Sequence, residues 1–261
     1  MKCKVCSQNS SFIFCAKVMN TYNVSYYQCN KCGFIQTEEP YWLDEAYKRP
    51  INVCDTGIMQ RNIGLSKQTS TIIRTAFNKD AHFLDYAGGY GIFVRLMRDI
   101  GYDFYWYDKY AQNLFATGFE YKNQKLELIT AFEVFEHLVN PVEEIQDILN
   151  LSHGVSLLFS TNIYDIGLKV KGQDWWYYGF DHGQHISFYS MKTLEYMANA
   201  FKIHYYYIND GLHLFSNRKI NVELIKFLFR IDSLKNRIAF KSKVKSRTHS
   251  DMIYTSKLDG E

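Results

Sequence analysis

Long apolar runs are missing from this chain. The longest are short, such as residues 155–159, against the roughly 20 residues that a membrane-spanning helix needs. Met1-Lys2-Cys3-Lys4 lacks the apolar stretch of a secretory signal. The expectation is a cytoplasmic protein, where thiols stay reduced and paired cysteines read as metal ligands before disulfides. Most of the chain also lacks net positive charge. The net charge is +3, yet residues 218–247 hold ten Lys or Arg against two acids, Glu223 and Asp232, which leaves the remainder net acidic. An acidic body argues against nucleic acid as a partner.

What is present suits a globular enzyme. The 261 residues are 47% hydrophobic, enough for one large domain plus a small module. Cys3-x2-Cys6 and Cys29-x2-Cys32 form two knuckles separated by 22 residues. Each can bring two sulfurs to one ion, and four thiolates close a structural zinc site. Strand-like segments at 12–18 and 23–28 lie between them, giving a four-cysteine zinc ribbon. Cys15 and Cys54 are outside the pattern and read as ordinary buried thiols. Pro40 and Pro50 punctuate a linker-like stretch, and helical spacing over 57–77 leads into the main domain.

Residues 82–86 form an apolar strand ending at Asp85 and Tyr86. A glycine-rich turn follows, then helical periodicity over 92–100 and Gly101 as a C-terminal cap. Strand, turn and helix make the first unit of a doubly wound sheet, with Gly89 and Gly91 allowing close ligand approach. A second strand, 102–107, ends in Asp108, which either accepts from ribose hydroxyls or caps a turn. Further strands are expected at 126–130 and 154–160 around a helix at 142–151, with a hairpin about Asn209-Asp210-Gly211. This alternation predicts a mostly parallel sheet.

Leu84-Asp85-Tyr86-Ala87-Gly88-Gly89-Tyr90-Gly91 resembles the first motif of class I S-adenosylmethionine-dependent methyltransferases. Glu133-x-x-Glu136-His137 with Asn140-Pro141 resembles their fourth-strand motif in quinone-type O-methyltransferases. Residues 183–190 resemble a later segment of enzymes acting on sugars or surface-glycan precursors. A zinc module joined to such a domain is similar to sugar C-methyltransferases. The resemblance covers about residues 1–216. It implies a Rossmann-like α/β domain with a seven-stranded, mostly parallel sheet, and S-adenosylmethionine held at Asp85, Ala87, Gly88, Gly89, Gly91, Asp108, Phe132 and Glu133. Residues 118–120 are the best guess for the adenine contact. Ala87 replaces the first motif glycine, which it can do if its φ is negative.

Methyl transfer needs positioning and, for oxygen and carbon acids, a base. His137, after the fourth strand, and His185, in a later loop, are candidate bases, with Glu136 beside them. His137 read blandly is a histidine packed at a helix start. Glu133, Glu136 and His137 could instead hold a divalent cation. Trp175, Trp176, Tyr178 and Gln184 are candidate acceptor contacts, and Tyr41, Trp42 and Tyr47 could close the pocket from the N-terminal side. Residues 222–229 read as a short apolar helix. The basic tail beyond it reads as a solvated or docking helix, with peripheral membrane contact as the alternative.

The chain thus divides into a zinc-binding module over 1–40, a linker and leading helix over 41–80, a cofactor-binding domain over 81–217 and a basic extension over 218–261. The expected activity is methylation of a small polar acceptor, a nucleotide-linked or phosphorylated sugar for surface polysaccharide, with O-methylation ahead of C-methylation. An RNA methyltransferase and a non-catalytic cofactor-binding module are the rivals.

Overall fold

The computed structural model describes residues 1–48, 55–164, 173–239 and 253. Pro50, Cys54 and most of the basic tail lie outside them. At the N-terminus, β1 (Ser10–Val18) and β2 (Tyr22–Cys29) form an antiparallel hairpin. Its turn is built on Met19 and Asn20, at φ 52° and 53°, and consecutive left-handed residues give the twist that a tight hairpin needs. β3 (Ile35–Thr37) adds antiparallel to β2. The short helix α1 (Leu43–Ala46) and the long α2 (Ile58–Ala76) lead into the main domain.

There β4 (His82–Tyr86) turns into α3 (Ile92–Ile100). Gly101 closes α3 at φ 110° and bonds the Met97 carbonyl at 3.2 Å, the left-handed cap expected of glycine. β5 (Asp103–Tyr107), β6 (Leu126–Ala131), α4 (Pro141–Asn150) and β7 (Ser156–Ser160) follow. After β8 (Ser187–Phe188) come α5 (Met191–Phe201), β9 (His204–Asn209), β10 (Leu212–Ser216) and α6 (Val222–Ala239). The expected apolar helix thus starts at Val222 and runs on to Ala239, so the basic stretch begins inside a helix. Among the described residues no helix is long and apolar enough to cross a membrane.

The main sheet runs β5-β4-β6-β7-β10-β9, with the first four strands joined in parallel and β10 antiparallel to both its neighbours, β7 and β9. It has six described strands, not the expected seven. Beyond β5 the chain pairs only at the Trp106–Glu120 bridge. Gly118 at φ 91° and Asn123 at φ 66° bracket that segment, which leaves too short an extended run for a ladder.

Period-two alternation splits the buried strands between two faces. Leu84, Ile129 and Leu157 pack with Phe135 on one side. Phe83, Leu128 and Leu158 pack with Ile72 and Val94 on the other. The N-terminal module shares the first of these layers through its four paired cysteines and Phe34. Its sheet is completed from far downstream, where β8 pairs antiparallel with β3. The Thr193 hydroxyl, at the start of α5, donates to the Cys32 carbonyl at 3.0 Å. A third cluster fills the space between the hairpin and residues 175–188, with Tyr26, Trp42, Trp175, Tyr178 and Phe188 at its centre.

Candidate active site

The glycine turn lies at the carboxyl end of β4. Ala87 has φ 57°. The condition of a negative φ is therefore not met, and an L-residue in this region costs about 1–2 kcal/mol. Gly89 and Gly91 are also left-handed, at φ 54° and 83°. A Cβ on Gly89 would meet open space, so this is where the backbone is open to a ligand. A Cβ on Gly91 would lie 2.8 Å from Asn113 Oδ1, and one on Gly88 2.9 Å from Asp85 Oδ2. Those two glycines accommodate the chain's own residues.

Asp85 is buried, and Thr130 on β6 donates to it at 2.6 Å. Burial pushes its carboxyl up to about 7, opposed by the Thr130 bond and aided by the charge of Asp108. Asp108 accepts from the Gly89 amide at 2.9 Å and from the amides of Tyr110 and Ala111 at 2.7 and 2.8 Å. It thus caps its own turn and ties that turn to the glycine turn. Phe132 is half-buried, edge-on to Phe93. Glu133 is exposed at φ 55°, with its amide and carboxylate both bonded to Ser160 Oγ.

β6 ends in a 3₁₀ turn, Phe135–His137. The Ile186 amide reaches back to the Glu136 carbonyl at 2.9 Å, and this bond brings the later loop over the turn. As a result Glu136, His137 and His185 converge, each offering a ligand atom within 4.8 Å of the others. The convergent set thus contains His185 with Glu136 and His137, and Glu133 is not part of it. Glu136 is fully buried, and neither carboxylate oxygen has a hydrogen-bond partner among the described residues. The Tyr177 hydroxyl is close enough to favour the charged form, but burial and the charge of Glu133 outweigh it and raise the Glu136 carboxyl well above its ordinary range. Burial lowers His137 to about 4 and His185 well below the usual imidazole value, so both rings are neutral near pH 7.

Trp175 and Tyr178 pack inside the aromatic cluster, while Trp176 is 75% exposed. Only Trp176 of the expected aromatic wall presents an open ring. Gln184 is buried and donates to the Ala46 carbonyl at 2.9 Å, holding α1 in place. Trp42 is buried, with its indole N–H on the Gly183 carbonyl, and Tyr41 is exposed. The Tyr47 hydroxyl lies 3.0 Å from His137 Nδ1. Thr130 and Ser160 carry no mark in the sequence. Each acts through a tertiary contact, and an isolated strand or loop residue carries no signal for one.

The four cysteines of the two knuckles are buried, and their sulfurs all lie within 4.8 Å. Cys3 and Cys32 sulfurs are 3.6 Å apart, and those of Cys6 and Cys29 are 3.3 Å apart. Tetrahedral zinc with bonds of about 2.3 Å sets its sulfurs about 3.8 Å apart, so the set fits such an ion. Backbone amides of Val5, Lys31 and Cys32 point at Cys3 and Cys29 sulfurs at 3.4 Å. Cys15 is exposed rather than buried, because it sits on the outer face of the hairpin.

No curated protein matches the chain in sequence. Among solved structures it is similar to the plantazolicin methyltransferase BpumL in complex with a monoazolic desmethylPZN analog and SAH, at 12% identity over 68% of this chain and 93% of that one, TM-score 0.46. It is similar to human N-acetylserotonin methyltransferase in complex with SAM, at 11% identity over 62% and 56%, TM-score 0.44. It is also similar to the mitomycin 7-O-methyltransferase MmcR, at 10% identity over 67% and 59%, TM-score 0.42. Residues 60–201, more than half of the chain, match the sequence profile of the family described as a methyltransferase domain. With its parallel sheet and glycine turn, the chain belongs to that family and is a class I S-adenosylmethionine-dependent methyltransferase.

Proposed function

We propose that the protein methylates a small polar acceptor, a nucleotide-linked or phosphorylated sugar destined for surface polysaccharide, and that an oxygen receives the methyl group. One observation carries the reading. β4 and β6 are parallel neighbours, so their carboxyl ends open on the same edge of the sheet, where ligands of such sheets bind. One end brings Asp85 and the open backbone at Gly89 for the cofactor. The other brings Glu136 and His137, joined by His185, for the acceptor. Neutral imidazoles beside a polar acceptor suit the deprotonation of a hydroxyl. The four paired cysteines hold one structural zinc, and the protein works in the cytoplasm.

Incubating the zinc-loaded protein with S-adenosylmethionine and a panel of nucleotide-linked and phosphorylated sugars tests this. The expected result is release of S-adenosylhomocysteine with at least one of them, and a product whose NMR spectrum places the new methyl on oxygen. A methyl on carbon would overturn the O-methylation assignment. Cofactor binding without turnover on any sugar would remove the acceptor class.

A further inference from the structure

The arrangement of hydrogen bonds around Glu136, His137 and His185 has a chemical consequence. His137 Nδ1 lies 3.1 Å from the Gln184 carbonyl, and His185 Nδ1 lies 2.6 Å from the Tyr177 carbonyl. A carbonyl oxygen can only accept, so the proton sits on Nδ1 of His185, and at His137, whose Nδ1 also meets the Tyr47 hydroxyl at 3.0 Å, the same tautomer follows when that hydroxyl accepts. Both Nε2 atoms are then lone-pair donors, and neither makes a hydrogen bond among the described residues. The two Glu136 oxygens beside them are fully buried and likewise unpartnered. One ligand atom from each of the three residues lies within 4.8 Å of the others, so electron-pair donors converge on one place, faced by the Tyr177 hydroxyl, which is close enough to Glu136 to favour its charged form and also shares a 3.3 Å hydrogen bond with Thr161. Unpaired polar atoms in a buried position are costly. Histidines whose Nδ1–H is fixed on a backbone carbonyl, with Nε2 free, have the outer-shell arrangement of metal ligands.

We propose that Glu136, His137 and His185 bind a divalent first-row transition ion, separate from the cysteine-bound zinc. Two imidazoles and one carboxylate favour such an ion over magnesium or calcium, which prefer all-oxygen sets. Zinc-type bonds of about 2.0–2.2 Å set ligand atoms about 3.4 Å apart, and these three lie within 4.8 Å of one another, a difference within reach of side-chain rotation. Three protein ligands leave coordination positions open. A hydroxyl of the acceptor bound there loses its proton more readily, because the ion stabilises the alkoxide. His182 does not belong to the set. Its Nδ1 accepts from the Gln184 amide at 3.2 Å, so in the neutral ring its Nε2 carries the proton.

The proposal rests on the methyltransferase reading only for what the ion acts on. The ion itself is tested without acceptor or turnover, so a failed ion and a failed methyl transfer read out separately. Wild-type protein, Glu136→Gln, His185→Gln and His182→Gln are each equilibrated with Co²⁺, passed through gel filtration and analysed for total zinc and cobalt. About two divalent ions per chain are expected in wild type and His182→Gln, and about one in Glu136→Gln and His185→Gln, with Co²⁺ affinity in those two lowered by more than about 100-fold. His185 is only half-buried, so its variant serves if the Glu136 variant fails to fold. One ion in wild type, two in both ligand variants, or an equal loss in His182→Gln overturns the assignment.

Discussion

The Thr130 hydroxyl on β6 donates to the Asp85 carboxylate on the adjacent β4 at 2.6 Å, and this is the contact that opposes the desolvation of a buried acid at the start of the glycine turn. Because burial wins, Asp85 holds its proton up to about pH 7 in the folded chain, against the ordinary carboxylate range in the unfolded one. An acid bound more tightly to its proton when folded adds stability while protonated. That stability is lost as pH rises from about 4 to about 7. Asp85→Asn is expected to flatten this slope and to raise the stability of the cofactor-free protein at pH 8, read from urea midpoints at several pH values. A slope unchanged by Asp85→Asn would mean that the acid does not titrate there.

S-adenosylmethionine carries positive charge at its sulfonium and amino groups, so it favours ionised Asp85. Its affinity should rise by up to tenfold per pH unit until about pH 7 and level off above it. Calorimetry at pH 6 in buffers of different ionisation enthalpy should show a proton released on binding. Binding without proton release would separate Asp85 from the cofactor.

Ala87 occupies a left-handed conformation at φ 57°, which glycine adopts at no steric cost. Ala87→Gly is expected to stabilise the protein by up to about 1 kcal/mol, because relief of strain outweighs the extra freedom of glycine in the unfolded chain. A higher denaturant midpoint at constant slope is the readout. Gly89→Val works in the opposite sense. It forces a β-branched residue into φ 54° and fills the open space on the ligand side, so cofactor affinity should fall together with stability.

Asp108→Ala removes the acceptor for the amides of Gly89, Tyr110 and Ala111. Cofactor affinity should drop by roughly 1.5–3 kcal/mol, the worth of hydrogen bonds to a charged group. Calorimetric titration checks it, and unchanged affinity would leave Asp108 as a turn residue alone.

With one zinc on the four cysteines, as proposed, Cys29→Ser should take metal content down by about one ion per chain. The damage should extend to the 173–188 loop, since β8 completes the module's sheet and Thr193 holds the Cys32 carbonyl. Faster proteolysis within that loop is the expected signature. Retention of the metal would overturn the four-cysteine assignment.

The elements that were legible from sequence are those whose signal is local. β4, its glycine turn and α3 show as an apolar run, small residues and a 3.6 period, and the Asn209-Asp210-Gly211 hairpin rests on turn chemistry. α5 was not read from sequence, since its capping box uses Thr193 where Glu or Gln is the usual mark. The company of Glu136 was legible only in part. His137 is its neighbour in sequence, but His185 arrives through the backbone bond from Ile186, a contact with no local trace. Likewise nothing in Trp175-Trp176-Tyr177-Tyr178 tells which ring faces water. Burial decides that, and it leaves Trp176 outside.

The strand shared between the module and the main domain also sets an order of events during synthesis. β3 ends at Thr37, and its partner β8 begins at Ser187. At about 5–20 residues per second, the ribosome takes roughly 8–30 s to deliver that partner. Once the hairpin and both cysteine knuckles have emerged, they wait for about as long with one sheet edge unpaired. Metal captured then would hold the first part of the chain together while it waits for the rest, so zinc supply in the growing cell would bear on how much of the newly made chain reaches its folded form.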